Sequence, residues 1–79
     1  MTARVRVLSR AGCHLCDVVV EVVAEVCAET GDRYEVDDVD ADPELRRRFS
    51  DQVPVTFVDG RQHDFWRVDP DRLRAALRA

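Results

Sequence analysis

Cys13 and Cys16 are three positions apart in the stretch Ser9-Arg10-Ala11-Gly12-Cys13-His14-Leu15-Cys16-Asp17. In a helix that spacing is nearly one turn, so the two side chains share a face. An apolar strand pattern precedes the pair and a long helical pattern follows it, which places it at a helix start. A Cys-x-x-Cys pair beside a βαβ pattern, in a small chain, reads as a redox site. A thiolate is an anion, and a helix N-terminus favours anions, so the position suits Cys13 to being a nucleophile. Arg10 and His14 add positive potential there, and Asp17 opposes it. The competing chemistry, a structural zinc, needs four ligands, and one cysteine pair supplies too few; no metal is expected. Cys27 follows Cys16 by 11 residues, about 16 Å along a straight helix. A disulfide needs Cα atoms within about 7 Å, so Cys27 reads as a small core residue.

Composition limits what surrounds this pair. With 79 residues, the chain is predicted to form one domain, 1–79. Hydrophobic residues make up 46% and charged residues 35%, a globular balance rather than a disordered one. The net charge of −4 argues against a nucleic-acid partner, which a basic excess would serve. No apolar run reaches the ~18 residues of a membrane span. Met1-Thr2-Ala3-Arg4-Val5-Arg6 lacks the apolar core of a secretory leader. An odd number of cysteines fits a reducing compartment better than a secreted disulfide framework. The expectation is a cytoplasmic monomer with neither membrane nor nucleic-acid partners. All 12 basic residues are Arg, and Lys, Asn and Ile are absent, which points to a GC-rich bacterial genome.

The elements that must position the cysteines can be read in order. Arg4–Ser9 is a strand with Val5 and Val7 on one face and Arg6 and Leu8 on the other. Arg6 interrupts the apolar pattern and must reach water or a partner. After the Ala11-Gly12 turn, a helix runs from about Cys13 to Glu29. Its valines favour a strand by propensity. Periodicity overrules them: Asp17, Glu21, Glu25 and Glu29 recur every four residues, and Cys16, Val19, Val20, Val23, Val26 and Cys27 make an apolar stripe. Gly31 ends this helix as its C′ residue. Arg33–Asp37 is a second strand, and Asp37–Asp42 an acidic connector, read as a solvated loop that supplies a helix cap. Asp42-Pro43 starts a short helix anchored by Leu45 and Phe49, with Arg46-Arg47-Arg48 as its solvated face. Gln52–Val58 is a third strand, Asp59-Gly60 a hairpin turn, and Arg61–Phe65 the returning strand. His63 reads as an exposed hairpin residue. Asp69-Pro70 repeats the helix-start device for a last helix with Leu73, Ala76 and Leu77 inside. The order β-α-β-α-β-β-α predicts an α/β fold, a four-stranded mixed sheet with helices on both faces.

Across nearly its whole length the chain resembles the glutaredoxin-like branch of the thioredoxin superfamily. The resemblance is carried by Leu8–Cys16, by Val53-Pro54-Val55 and by Asp59-Gly60. Within the branch the chain is most similar to short bacterial proteins with a Cys-His-Leu-Cys motif. It implies a thioredoxin-like, glutaredoxin-type fold with Cys13 as attacking thiolate and Cys16 as resolving thiol. It also implies a cis Val53–Pro54 bond against the cysteines, with the Val53 backbone free to pair with a substrate, and Arg10 as the residue that holds a substrate carboxylate. Where such proteins carry Gly-Gly and an acidic residue, this chain has Phe65-Trp66-Arg67-Val68-Asp69. Asp69 is kept. Trp66 and Arg67 put bulk where glutathione would lie, which points to another low-molecular-weight thiol, to a protein-docking rim, or to a Trp66 that simply covers the core.

Taken together, these residues predict a thiol-disulfide oxidoreductase serving cell redox homeostasis. Cys13 and Cys16 would be catalytic; Arg10, His14, Leu15, Val53, Pro54, Trp66, Arg67 and Asp69 would bind substrate. Protein disulfides or a small thiol, glutathione or another low-molecular-weight thiol, would be the partners, with a thioredoxin-type reductase as a further partner and no cofactor beyond the Cys13–Cys16 disulfide. Two alternatives have the same fold: a binding or redox-sensing module without turnover, and an iron–sulfur carrier held through Cys13 with an external thiol as co-ligand.

Overall fold

A computed structural model describes residues 3–78; Ala79, and Met1 and Thr2 from the stretch read above for a secretory leader, lie outside the described residues. The elements are β1 (Val5–Ser9), α1 (His14–Thr30), β2 (Tyr34–Asp38), α2 (Pro43–Phe49), β3 (Val55–Val58), β4 (Arg61–Phe65) and α3 (Pro70–Arg78). Single 3₁₀ turns at Val39–Ala41 and Ser50–Gln52 flank α2. The sheet order is β2-β1-β3-β4, with β1 parallel to β2 and antiparallel to β3, and β3 antiparallel to β4. This is the mixed α/β sheet that the element order predicts.

The alternation along β1 divides the core in two. Val5 and Val7 face α1 and α3 and pack with Val19, Val23, Val26, Cys27, Val58, Leu73 and Leu77. Leu8 faces the other way and packs with Val39, Phe49 and Val55 under α2. Phe49 meets Phe57 edge-on at 5.5 Å between ring centroids, tying α2 to β3. Because α2 is only one layer of 7 residues, it covers Leu8 but not Arg6. Arg6 fills the open part: its Nε donates to Asp37 Oδ2 at 2.6 Å, and its guanidinium lies 6.0 Å above the Phe57 ring. The apolar stem thus covers the sheet while the charge is paired.

Local signals act where the sequence places them. Cys13 is the N-cap of α1, and Gly31, at φ 76°, donates its N–H to the Cys27 carbonyl at the other end. Asp42 accepts from the Glu44 N–H at 2.9 Å, with Pro43 opening α2. Asp59 (φ 52°) and Gly60 (φ 82°) are both left-handed, as a two-residue hairpin turn requires. Arg4 then joins remote elements, donating to Asp59, to Asp32 and to the Leu77 carbonyl.

Two expectations need correction. β3 starts at Val55 rather than Gln52, because Ser50–Gln52 continues from α2 as a 3₁₀ turn and Val53–Pro54 links it to the strand. His63 is not exposed: its side chain is 11% accessible and lies with Val58 and Ala76 beneath α3, its Nε2 3.7 Å from Asp64 Oδ2. The cause is the inward placement of the β4 centre beside α3, where Arg72 reaches Asp64 at 2.7 Å.

Candidate functional site

Strand register brings the predicted site residues to one end of the sheet. Leu8 pairs with Val55, so Pro54 and the end of β1 lie side by side. Val55 pairs with Phe65, which places Trp66 at the same end. The Trp66 N–H donates to the Pro54 carbonyl at 2.8 Å and to the Gln52 carbonyl at 3.3 Å. The end of β1 leads through the Ala11-Gly12 turn, Gly12 at φ 75°, to Cys13.

Cys13 and Cys16 are disulfide-bonded, with Cα atoms 5.2 Å apart, inside the usual range. The two sulfurs differ in access. Cys13 is half-buried at the helix end, whereas Cys16 is 1% exposed. The Cys16 N–H donates to Cys13 Sγ at 3.2 Å, and the Cys13 N–H donates to the Arg10 carbonyl at 3.2 Å. A negative charge formed on Cys13 would therefore have a backbone donor and the positive end of a 17-residue helix beside it. The third cysteine has none of these features: Cys27 is 2% exposed, and burial pushes its thiol up, with Asp32 adding to the effect.

The remaining predicted site residues fall into distinct environments. The Val53–Pro54 peptide is cis, and Pro54 is fully buried. Among the described residues, Val53 takes no part in the loop backbone hydrogen bonds. His14 is exposed in the first turn of α1. Leu15 and Arg67 line a narrow groove of about 190 Å³ with Val18, Val19, Val22 and Val68. Leu15, between the two cysteines, and Val18, two residues after them, are 38% and 41% exposed, so the start of α1 presents an apolar strip. Asp69 uses Oδ1 to cap α3, accepting from the Asp71 N–H at 2.9 Å.

Trp66 has an unusual backbone. Its φ is 64°, a left-handed value that a bulky residue rarely adopts. The position calls for glycine by conformation, and tryptophan stands there. The indole is 54% exposed, donates to the Asp51 carbonyl at 2.8 Å and meets Phe65 at 5.1 Å between centroids. Trp66→Gly should therefore leave the protein more stable than Trp66→Ala, by about 1–2 kcal/mol, because both lose the indole but only glycine is relieved of the left-handed penalty. Thermal or urea unfolding of the two variants checks this. Equal stability, or a more stable alanine variant, contradicts it.

Arg10 is held from within the chain. Its Nε donates to Asp40 Oδ2 at 2.8 Å and its Nη2 to Asp40 Oδ1 at 3.0 Å. Nη2 also reaches Ser50 Oγ at 2.8 Å, and Nη1 the Ser50 carbonyl at 3.5 Å. The Arg10 guanidinium holds the Asp40 carboxyl below its ordinary range, through the hydrogen bond first and Coulomb attraction second. Asp40 itself is fixed by an Asx turn, its N–H donating to Asp38 Oδ1 at 2.9 Å. The sequence pattern around Asp40 indicates only a solvated loop, and nothing local marks Ser50 or Asp51 as site residues. Nothing within a few residues of Asp40 names a partner 30 positions away. Among the described residues, no group of three or more His, Cys, Asp or Glu is placed to hold a metal ion, and no helix is long and apolar enough to cross a membrane.

Comparison with known proteins places this geometry. Residues 4–78 match the model of the Glutaredoxin-like domain (DUF836). The uncharacterized protein Rv0508 of Mycobacterium tuberculosis is 44% identical, over 94% of this chain and 81% of that one. Among solved structures, the Xanthomonas campestris protein XcR50 superimposes with a TM-score of 0.76 at 33% identity, over 94% of this chain and 95% of that one. Poplar glutaredoxin C1, in its holo form, superimposes with a TM-score of 0.56 at 20% identity, over 96% and 84%. That last likeness is one of fold.

Proposed function

From the chain's membership of the Glutaredoxin-like domain family, with its cysteine pair at disulfide distance, we propose that it is a thiol-disulfide oxidoreductase acting on protein disulfides. The observation that carries this reading is the asymmetry of the pair. Cys13 is accessible at a helix N-terminus with a donor on its sulfur, and Cys16 is buried behind it. In the reduced protein, the Cys13 thiolate attacks one sulfur of a substrate disulfide. A Cys13–substrate bond forms, the substrate S–S bond breaks, and the other substrate sulfur leaves as thiolate. Cys16, deprotonated, then attacks Cys13 Sγ and releases the second substrate thiolate. Two electrons pass from the cysteine pair to the substrate, and the Cys13–Cys16 disulfide remains. An external dithiol, such as a thioredoxin-type reductase supplies, returns the electrons.

Support for protein disulfides over a small thiol comes from the surroundings. Leu15 and Val18 offer apolar surface on the first turns of α1, Trp66 adds more at the same end of the sheet, and among the described residues the Val53 backbone takes no loop hydrogen bond. An extended segment could pair with that backbone and rest its side chains on the apolar strip. The reading places the protein in the cytoplasm, where a reducing pool keeps such a pair cycling.

The test is reduction of insulin disulfides by the protein with dithiothreitol as donor. Turnover above the dithiothreitol background supports the reading. A rate equal to background, with the Cys13–Cys16 disulfide shown by thiol trapping to be freely reduced, overturns it.

A further inference from the structure

Arg10 is the one guanidinium in the loop that leads to the nucleophile, and its backbone carbonyl accepts the Cys13 N–H. A free guanidinium there would draw anionic disulfides to Cys13. A guanidinium has five N–H donors in a fixed fork. Asp40 takes two through both of its oxygens, and Ser50 takes two more through its hydroxyl and carbonyl. One donor is left. The same contacts neutralise the charge, because Asp40 pairs with it in the bidentate geometry that an external carboxylate would need.

This pair is continuous with the rest of the site. Ser50 receives Arg10, the next residue Asp51 receives the Trp66 indole N–H, and the Trp66 N–H binds the Pro54 carbonyl. Asp38 and Asp51 also act on the Arg10 charge, and Arg46 acts on Asp40. Two further carboxylates against one arginine leave the surroundings of the pair unfavourable to an added anion.

Resting on the redox reading above, we propose that Asp40 is a specificity-determining residue, which fills Arg10 from within and turns the Cys13 site against carboxylate-bearing disulfides in favour of neutral or cationic ones. The substrate class is then disulfides flanked by uncharged or basic groups, in proteins or in small molecules without a carboxylate near the sulfur.

The experiment uses the pre-reduced protein and three small disulfides: anionic 3,3′-dithiodipropionate, neutral bis(2-hydroxyethyl) disulfide and cationic cystamine. The rate of Cys13–Cys16 disulfide formation is followed by quench and thiol trapping. No added reductant is needed, since each disulfide takes two electrons from the cysteine pair and leaves as two thiols. In wild type the anionic compound should be the slowest. Asp40→Ala frees a charge-assisted, two-point site and should raise the anionic-to-neutral rate ratio about tenfold. Asp51→Asn removes the same charge nearby but leaves Arg10 paired, and should move that ratio far less. The double variant R10Q/D40A should lose the gain. An unchanged ratio in Asp40→Ala, or an equal rise in Asp51→Asn, overturns the proposal while leaving the redox reading intact. Failure of wild type to be oxidised by all three overturns the redox reading instead. A second measurement does not depend on turnover. With acetate as probe, the Arg10 Nε–H resonance should shift in Asp40→Ala and not in wild type; the same response in both overturns the proposal.

Discussion

Cys13→Ser is expected to lower disulfide reduction by about a thousandfold or more, because in the proposed mechanism Cys13 is the group that forms the bond to substrate. Cys27 cannot replace it: it is 2% exposed among Val19, Val23 and Val26, and burial holds it as the neutral thiol. Cys16→Ser has a different expected outcome. The Cys16 N–H that supports Cys13 Sγ belongs to the backbone and survives the substitution. The first step should therefore proceed, and the mixed disulfide on Cys13 should accumulate because no internal thiol resolves it. Intact-mass measurement after mixing with a peptide disulfide distinguishes the two variants. Cys13→Ser should gain no adduct, and Cys16→Ser should gain one peptide per protein. Adducts on Cys27, or equal turnover by Cys13→Ser and wild type, would remove Cys13 from the mechanism.

Leu8→Ala is expected to be the most damaging core substitution for its size. Leu8 is fully buried, and it is the residue from which β1 contacts the α2 layer, with Val39, Phe49 and Val55 around it. Removing a buried leucine side chain costs about 2–5 kcal/mol, according to how far the cavity collapses. A domain of 79 residues has about 4–12 kcal/mol in total, so the variant should be partly unfolded at or near physiological temperature. A second consequence is local. Val39 opens the 3₁₀ turn that contains Asp40, and Val55 follows Pro54. Loosening this cluster should reach the Arg10–Asp40 pair before it reaches the α1/α3 side. Urea unfolding measures the first effect, and hydrogen exchange of amides 38–42 against 19–27 measures the second. A loss below about 1 kcal/mol would mean that the α2 layer contributes less than its burial implies.

Much of this molecule follows from signals a few residues long. The acidic residues at every fourth position overruled the strand preference of the valines in α1, and the helix forms with that stripe outward. Asp42-Pro43 and Asp69-Pro70 each start a helix because the carboxylate binds N–H groups two or three residues on. Asp59-Gly60 turns the hairpin because both residues reach positive φ at low cost. The cysteine pair was legible for the same reason, since its spacing and its helix start are local. The resemblance added the cis Val53–Pro54 bond, which no local pattern supplied.

What the sequence could not determine depends on chain segments that meet only after folding. Arg6 needed a partner, but Asp37 and Phe57 were two among many candidates. His63 looked exposed because a hairpin position says nothing about α3 packing beside it. Trp66 gave no sign of its left-handed backbone, which is imposed by the Gln52 and Pro54 carbonyls it must reach. Arg10 is the clearest case. Its position before Cys13 is written in the sequence, and the family resemblance implies a binding role for it. Which carboxylate it meets is a matter of three-dimensional distance, and the acidic connector after β2 offered several. The β1–β2 register, which sets Ser9 against Asp38, brings Asp40 to it, and the turn after α2 brings Ser50, so tertiary structure alone decided that this cation is paired before any substrate arrives.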